Sequence, residues 1–186
     1  GKEMLVDLGK VPAPVRDYLT RIYDHGNPYR QPAKKRAEWA ENIEPFADHE
    51  YLFYVGDVGS YDDRGKEITR SVANLMKELG VSFGILGKLE ISDGNDVCAM
   101  GESALFKHLA EKNISQFKEA GVKKIIALSP HGFHALKNEY PRFGGQFQVF
   151  HYTQLLSLLI GRAKFKSAEN SITVSFHDPC YLGRHN

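Results

Sequence analysis

Tyr51-Leu-Phe-Tyr-Val55, a continuous apolar run, leads into Gly56-Asp57-Val58-Gly59-Ser60. Ile68, Val72, Leu75, Met76 and Leu79 then line one face of a helix closed by Gly80. A run that is apolar at every position suits a strand covered on both faces, and such strands belong to parallel sheets. The alternation repeats downstream. Val81-Ser-Phe-Gly-Ile-Leu86 reads as a second strand, followed by a long loop from Gly87 to Gly101. Phe106, Leu109, Ala110, Ile114 and Phe117 then mark an amphipathic helix ending at Gly121. Lys124-Ile-Ile-Ala-Leu128 is the third strand and ends in Ser129-Pro-His-Gly132 before a helix of Phe133, Leu136 and Tyr140. Phe147-Gln-Val-Phe150 with a helix from Thr153 to Ile160 gives the next pair, and Ile172 to His177 a fifth strand. Strands and helices alternating at this spacing predict an α/β fold, a Rossmann-like parallel sheet with helices on both faces and right-handed crossovers.

Residues 1–48 have a different character and read as a helical lead-in or linker. Val15, Tyr18, Leu19 and Ile22 recur at helical spacing after Pro12 and Pro14, and His25-Gly-Asn-Pro28 ends that helix. Pro32 opens a second short helix with Ala37, Trp39, Ala40 and Ile43 on its apolar side, and Trp39 is expected to be an anchor packed on the following domain. Composition limits the function classes. The chain has 186 residues, 42% of them hydrophobic, so it can bury a core. Its 24 Lys and Arg against 23 Asp and Glu give no global charge argument for nucleic acid or an anionic membrane. The longest apolar run, Leu155 to Ile160, is too short for a membrane span, and no signal peptide is visible. Two cysteines, Cys98 and Cys180, make no disulfide framework and suit a reducing, cytoplasmic compartment. A chain opening at Gly1 reads as an excised or processed piece of something longer.

In a parallel sheet, ligands sit beyond the carboxyl ends of the strands, so the chemistry is sought there. Gly56-Asp57-Val58-Gly59 lacks the full glycine fingerprint of a dinucleotide loop, and Asp57 would repel a phosphate; a strand-to-helix turn is the plainer reading. Ser92-Asp-Gly-Asn-Asp96 lacks the downstream glutamate of a calcium loop and reads as a polar surface loop. Ser129 and His131, with Asp57 or Asp93 in support, would make a hydrolase triad, but the nucleophile-elbow pattern is missing. His177 and Asp178 beside Cys180 would make a Cys-His pair, although His177 belongs to the predicted strand. Cys98 reads as an ordinary thiol.

Several short landmarks run the length of the chain: His25-Gly-Asn-Pro28, Arg36-Ala-Glu-Trp39, Gly59-Ser-Tyr-Asp62, Glu111-Lys-Asn113, Leu136-Lys-Asn-Glu-Tyr-Pro141, His151-Tyr-Thr-Gln154 and His177-Asp-Pro-Cys-Tyr-Leu-Gly-Arg184. On these, nearly all of the sequence resembles the cysteine-rich domain of heterodisulfide reductase and of the iron-sulfur subunits of glycolate oxidase and its relatives. That family carries two copies of a motif made of a lone Cys, a Cys-Cys pair and a Cys-x-x-Cys, which together ligate iron-sulfur clusters. The resemblance places the first copy at Asp57, Ser92, Asp93, Ser129 and Gly132. The spacing is kept, with 34 residues between Asp57 and Ser92, 35 between Asp93 and Ser129, and two between Ser129 and Gly132, but every cysteine is gone.

Clusters of this kind are held by thiolates, so no metal is expected at the degenerate first motif, although Asp57, Asp93 and His131 offer a divalent ion a corner of hard ligands. Asp57, Ser92, Asp93, Ser129 and His131 are expected to lie within a common polar pocket at the strand ends. Cys180 falls at the first-cysteine position of the second copy, with its partners beyond Asn186. The resemblance thus implies a fragment: residues 1–48 as lead-in, 49–170 as a first cysteine-rich-type α/β domain that has lost its cysteines, and 171–186 as the truncated start of the second motif. It further implies a parent iron-sulfur oxidoreductase, this piece being inactive and free of cofactor alone. The parent would pass electrons to a disulfide, a quinone or a flavoprotein. Its partner would be a ferredoxin-like, flavoprotein or membrane-cytochrome subunit, the last of which could tie it to a membrane. A redox-inactive docking or binding module that uses the decayed pocket is the alternative.

Overall fold

The computed structural model describes residues 1–162 and 173–184. In chain order the helices and strands are α1 (Lys2–Asp7), α2 (Ala13–His25), β1 (Tyr51–Tyr54), α3 (Gly56–Tyr61), α4 (Asp63–Glu78), β2 (Phe83–Gly84), α5 (Asn95–Met100), α6 (Ser103–Glu119), β3 (Lys124–Ala127), α7 (Pro130–His134), β4 (Gln148–His151), α8 (Tyr152–Leu159) and α9 (Cys180–Gly183). The sheet is wholly parallel with strand order β2-β1-β3-β4. Because the chain steps outward from β1 to β2 and then crosses back to β3, the winding reverses between β1 and β3. A crevice therefore opens at their carboxyl ends.

Alternation along β1 divides the core in two. Leu52 and Tyr54 turn to a layer with Ile22 of α2, Phe106, Leu109, Ile114 and Phe117 of α6, and Tyr140. Phe53 and Val55 turn to the opposite layer with Val72, Ala73 and Met76 of α4, Leu155 of α8, and Trp39. Successive strand residues point to opposite faces, so a strand apolar at every position is what two helical layers require. Trp39 is buried and meets Phe53 edge-on at 6.0 Å between centroids, the anchor its sequence suggests. The lead-in also bridges to the sheet beside β2, where Phe46 N donates to the Ile85 carbonyl at 2.9 Å and Ile85 N to that of Glu44 at 3.1 Å.

Four sequence expectations are corrected. No strand forms over residues 173–177, the described part of the predicted fifth strand; Ile172 lies outside the described residues. Val174 and Phe176 are 83% and 86% exposed there: the run has strand-like residues but no neighbouring strand to pair with. The expected turn at Gly56–Ser60 is the helix α3, and the expected loop before Gly101 contains α5. The helix after Ser129 is broken into α7, a π turn at Ala135–Glu139 and a 3-10 turn at Tyr140–Phe143.

Candidate functional site

The reversal between β1 and β3 sets the site. Asp57 follows β1, Ser92 and Asp93 close the segment after β2, and Ser129 follows β3, so three crossovers deliver polar residues to one end of the sheet. There they meet at a cavity of about 700 Å³. Asp57, Ser92, Asp93, Ser129 and His131 all line it. The convergence is tight: a Cβ at Gly132 would stand 3.3 Å from both Asp93 Oδ2 and Ser129 Oγ, and one at Gly56 3.8 Å from Asp93 Oδ2. Gly56 also has φ of +78°, a region that favours glycine.

Each lining group has a local anchor. Ser129 caps α7, its hydroxyl accepting from Gly132 N at 3.0 Å, so the oxygen is a structural acceptor rather than an activated nucleophile. Asp93 Oδ1 accepts from Asn95 N at 2.8 Å, and the Asp93 carbonyl accepts from the Tyr140 hydroxyl at 3.1 Å. Buried Asn113 donates to the Ser92 carbonyl at 3.0 Å and to Tyr140 Oη at 2.8 Å, which fixes the Ser92-Asp93 corner on α6.

Asp57 is held from outside the sheet. Buried Arg36, in the lead-in, donates to Asp57 Oδ1 at 2.5 Å and to Glu90 Oε1 at 3.2 Å. Glu90 in turn accepts from Val55 N at 3.1 Å and Gly56 N at 2.8 Å, and the guanidinium lies 5.0 Å from the Tyr61 ring centre. Burial opposes the Arg36 charge, but Asp57 and Glu90 outweigh it and hold its pKa above the ordinary value. For Glu90, burial outweighs Arg36 and pushes the carboxyl up. Burial, followed by repulsion from Asp57, raises Asp93 to about 7.

The five stations do not fit an iron-sulfur cluster. Asp57 is tied to Arg36, Ser129 is tied into its cap, Gly132 has no donor, and none supplies a thiolate. Nor, among the described residues, does any group of three or more His, Cys, Asp or Glu side chains stand ready for a metal ion, so Asp57, Asp93 and His131 share a cavity without making the corner that the alternative of a divalent ion needs. Cys180 is exposed at the start of α9. That turn lies on α7, with the Tyr181 ring 4.8 Å from His131 and 5.0 Å from His134. Cys98 sits in α5, and burial raises its pKa.

Arg36 and Glu90 were not singled out by the sequence reading; Arg36 stands inside one of its landmarks, whereas nothing local marks Glu90. Tyr18, Tyr29 and Asp96, which complete the cavity wall, were missed as well.

Residues 52–137 match the model of the cysteine-rich domain family, a span that contains all five stations. Among curated proteins, the probable iron-sulfur-binding oxidoreductase FadF of Bacillus subtilis is 40% identical over 96% of this chain and 27% of its own length. The EtfAB:quinone oxidoreductase of Syntrophomonas wolfei is 36% identical over 96% of this chain and 26% of its own. A polypeptide of the dihydromethanophenazine:CoB–CoM heterodisulfide reductase of Methanosarcina mazei is 33% identical over 88% of this chain and 42% of its own. The chain therefore spans between about a quarter and two fifths of the length of these relatives. No solved structure matches significantly.

Proposed function

With residues 52–137 a cysteine-rich domain of the family found in heterodisulfide reductase and its relatives, we propose that this chain is the non-cluster-binding half of an iron-sulfur oxidoreductase. In this reading residues 49–170 are the α/β unit that has lost its cysteines, residues 1–48 are its lead-in, and residues 171–186 begin the cluster-binding half. The full protein passes electrons toward a disulfide, a quinone or a flavoprotein. The observation that carries this is the meeting of four motif positions, Asp57, Ser92, Asp93 and Ser129, at one cavity with Gly132 beside them, Asp57 being captured by Arg36 and no thiol lining the space, while Cys180 is exposed on a turn seated against that cavity's His131 wall.

The scaffold's own part is then to present Cys180. Pro179 precedes the turn, and the Tyr181 ring fixes it on α7. The electron-transfer partner is a ferredoxin-like, flavoprotein or membrane-cytochrome subunit, a choice supported by relatives named for EtfAB, for quinone and as a membrane-anchored ferredoxin. We assign this half to the cytoplasmic side, the compartment its two free cysteines suit. Among the described residues no helix is long and apolar enough to cross a membrane.

Iron and acid-labile sulfide in anaerobically purified full-length protein provide the test. Both are expected, with a Cys180→Ser variant losing most of the cluster signal and a Ser129→Ala variant keeping it. Absence of iron from the full chain, or a visible charge-transfer band on reconstituting residues 1–186 alone, would overturn the assignment. The size of the cavity favours a second use for the emptied site, as a pocket for a small molecule.

A further inference from the structure

We propose that the cavity between the ends of β1 and β3 binds a small organic cation, a primary ammonium on an apolar body, with Asp93 and Asp96 as its counter-charges. The inference rests on the reading above only in that the cavity is free of a cluster. Its position is the one open α/β sheets use for ligands, the crevice where the winding reverses. Its volume of about 700 Å³ suits a small organic molecule rather than a bare ion.

The walls and floor differ in chemistry. Val55, Val58, Ile68 and Leu128 give an apolar wall, while Tyr18 and Tyr29 offer aromatic faces of the kind that attract cations. The floor carries acceptors. Asp93 Oδ1 is taken by Asn95 N, but Oδ2 faces the space left by two missing side chains, at Gly56 and Gly132, with Ser129 Oγ at the same 3.3 Å from a Gly132 Cβ. An ammonium can donate to both oxygens at once, and an alcohol to only one of them.

Charge selects among ligands. Asp57, Asp93 and Asp96 all line the cavity. Arg36 is already divided between Asp57 and Glu90, and Arg21, which also lines the cavity, is turned to Asp17 and the Pro28 carbonyl. Asp96 Oδ2 accepts from the Tyr18 hydroxyl at 3.0 Å, which holds that carboxylate against the aromatic wall. Asp57 is neutralised by Arg36, but Asp93 and Asp96 have no ion pair among the described residues, so an anion would face these two carboxylates, and a divalent metal would find no triplet of ligands there.

Calorimetric titration of the purified protein with phenethylamine, phenethyl alcohol and phenylacetate decides the matter. Saturable binding of the amine is expected, at least tenfold tighter than either analogue, with Asp93→Asn weakening it at least fivefold. Asp96→Asn repeats the test should Asp93→Asn fail to fold, and Ser71→Ala, on the outer face of α4, should bind as the parent does. No amine binding, equal binding of the alcohol or the anion, or no loss in either aspartate variant would overturn the proposal. Iron and sulfide in the full-length protein do not depend on this outcome, so the two readings fail separately.

Discussion

Asp93 is the residue at which burial and neighbouring carboxylates have become an energetic cost. Its carboxyl is raised to about 7 by burial and then by Asp57, with Asp96 and Glu90 adding to the repulsion and the Asn95 N–H opposing it. Unfolded, the same group titrates near its ordinary value of 3.8. Between these values the folded protein holds a proton that the unfolded chain has released, so stability falls as pH rises from about 4 to about 7 and stays lower above. Buried His151, lowered to about 4, acts in the opposite sense: its contribution is lost as pH falls from about 6.5 toward 4. Replacing Asp93 by Asn keeps an acceptor for Asn95 N and removes the penalty. Thermal melts should show Asp93→Asn stabilising at pH 8, by up to about 4 kcal/mol for a shift of this size, and little at pH 4. A variant equal to the parent at both pH values would show that the carboxylate is not strained. Asp57, Ser92, Asp93 and Ser129, which line the cavity, were legible in sequence because each sits in a polar stretch after a predicted strand; Glu90 was not, since a buried carboxylate whose partners lie 34, 35 and 54 residues away has no local pattern.

Between elements, the lead-in is joined to the strand ends by charge as well as by packing. Arg36 belongs to the 3-10 turn Ala33–Ala37, Asp57 to α3, and Glu90 to the segment after β2, and all three side chains are largely buried. Removing one member of such a set leaves an uncompensated buried charge, whereas removing the whole set need not. Arg36→Met should therefore cost about 3–5 kcal/mol in denaturant unfolding. Neutralising Asp57 and Glu90 in the same background, as Asn and Gln, should recover a good part of the loss. A single substitution costing under about 1 kcal/mol, as a surface pair would, would show the triad to be incidental. The long elements were readable from periodicity: α2, α4 and α6 each run for more than three turns and carry an apolar repeat. The six-residue helices α3 and α5 were not, because so few residues show no period and both lie in glycine-containing stretches that read as turns.

For the molecule as a whole, the segment before Cys180 is the outlying part of an otherwise two-layered core. Alternating β-branched and aromatic residues predict a strand, yet a strand is stabilised by cross-strand neighbours, and the described sheet ends at β4 without offering one to residues 173–177. Val174 and Phe176 are left almost fully exposed, while Phe53, Phe117 and Phe133 are fully buried. A protease that cuts after aromatic residues needs an accessible, unpaired backbone, which Phe176 supplies. Exposed Tyr23 lies within α2, where the backbone bonds must first break. Brief chymotrypsin treatment of residues 1–186 should therefore cut first after Phe176 and separate Cys180 from the sheet domain, as mass spectrometry of the fragments would show. In a full-length protein whose second half begins here, Phe176 should gain its missing neighbours and the same cut should slow by at least tenfold. Equal cleavage in both would mean that the segment is a linker and that Cys180 does not enter a second folded unit; early cleavage inside β1 or β3 would contradict the core described above.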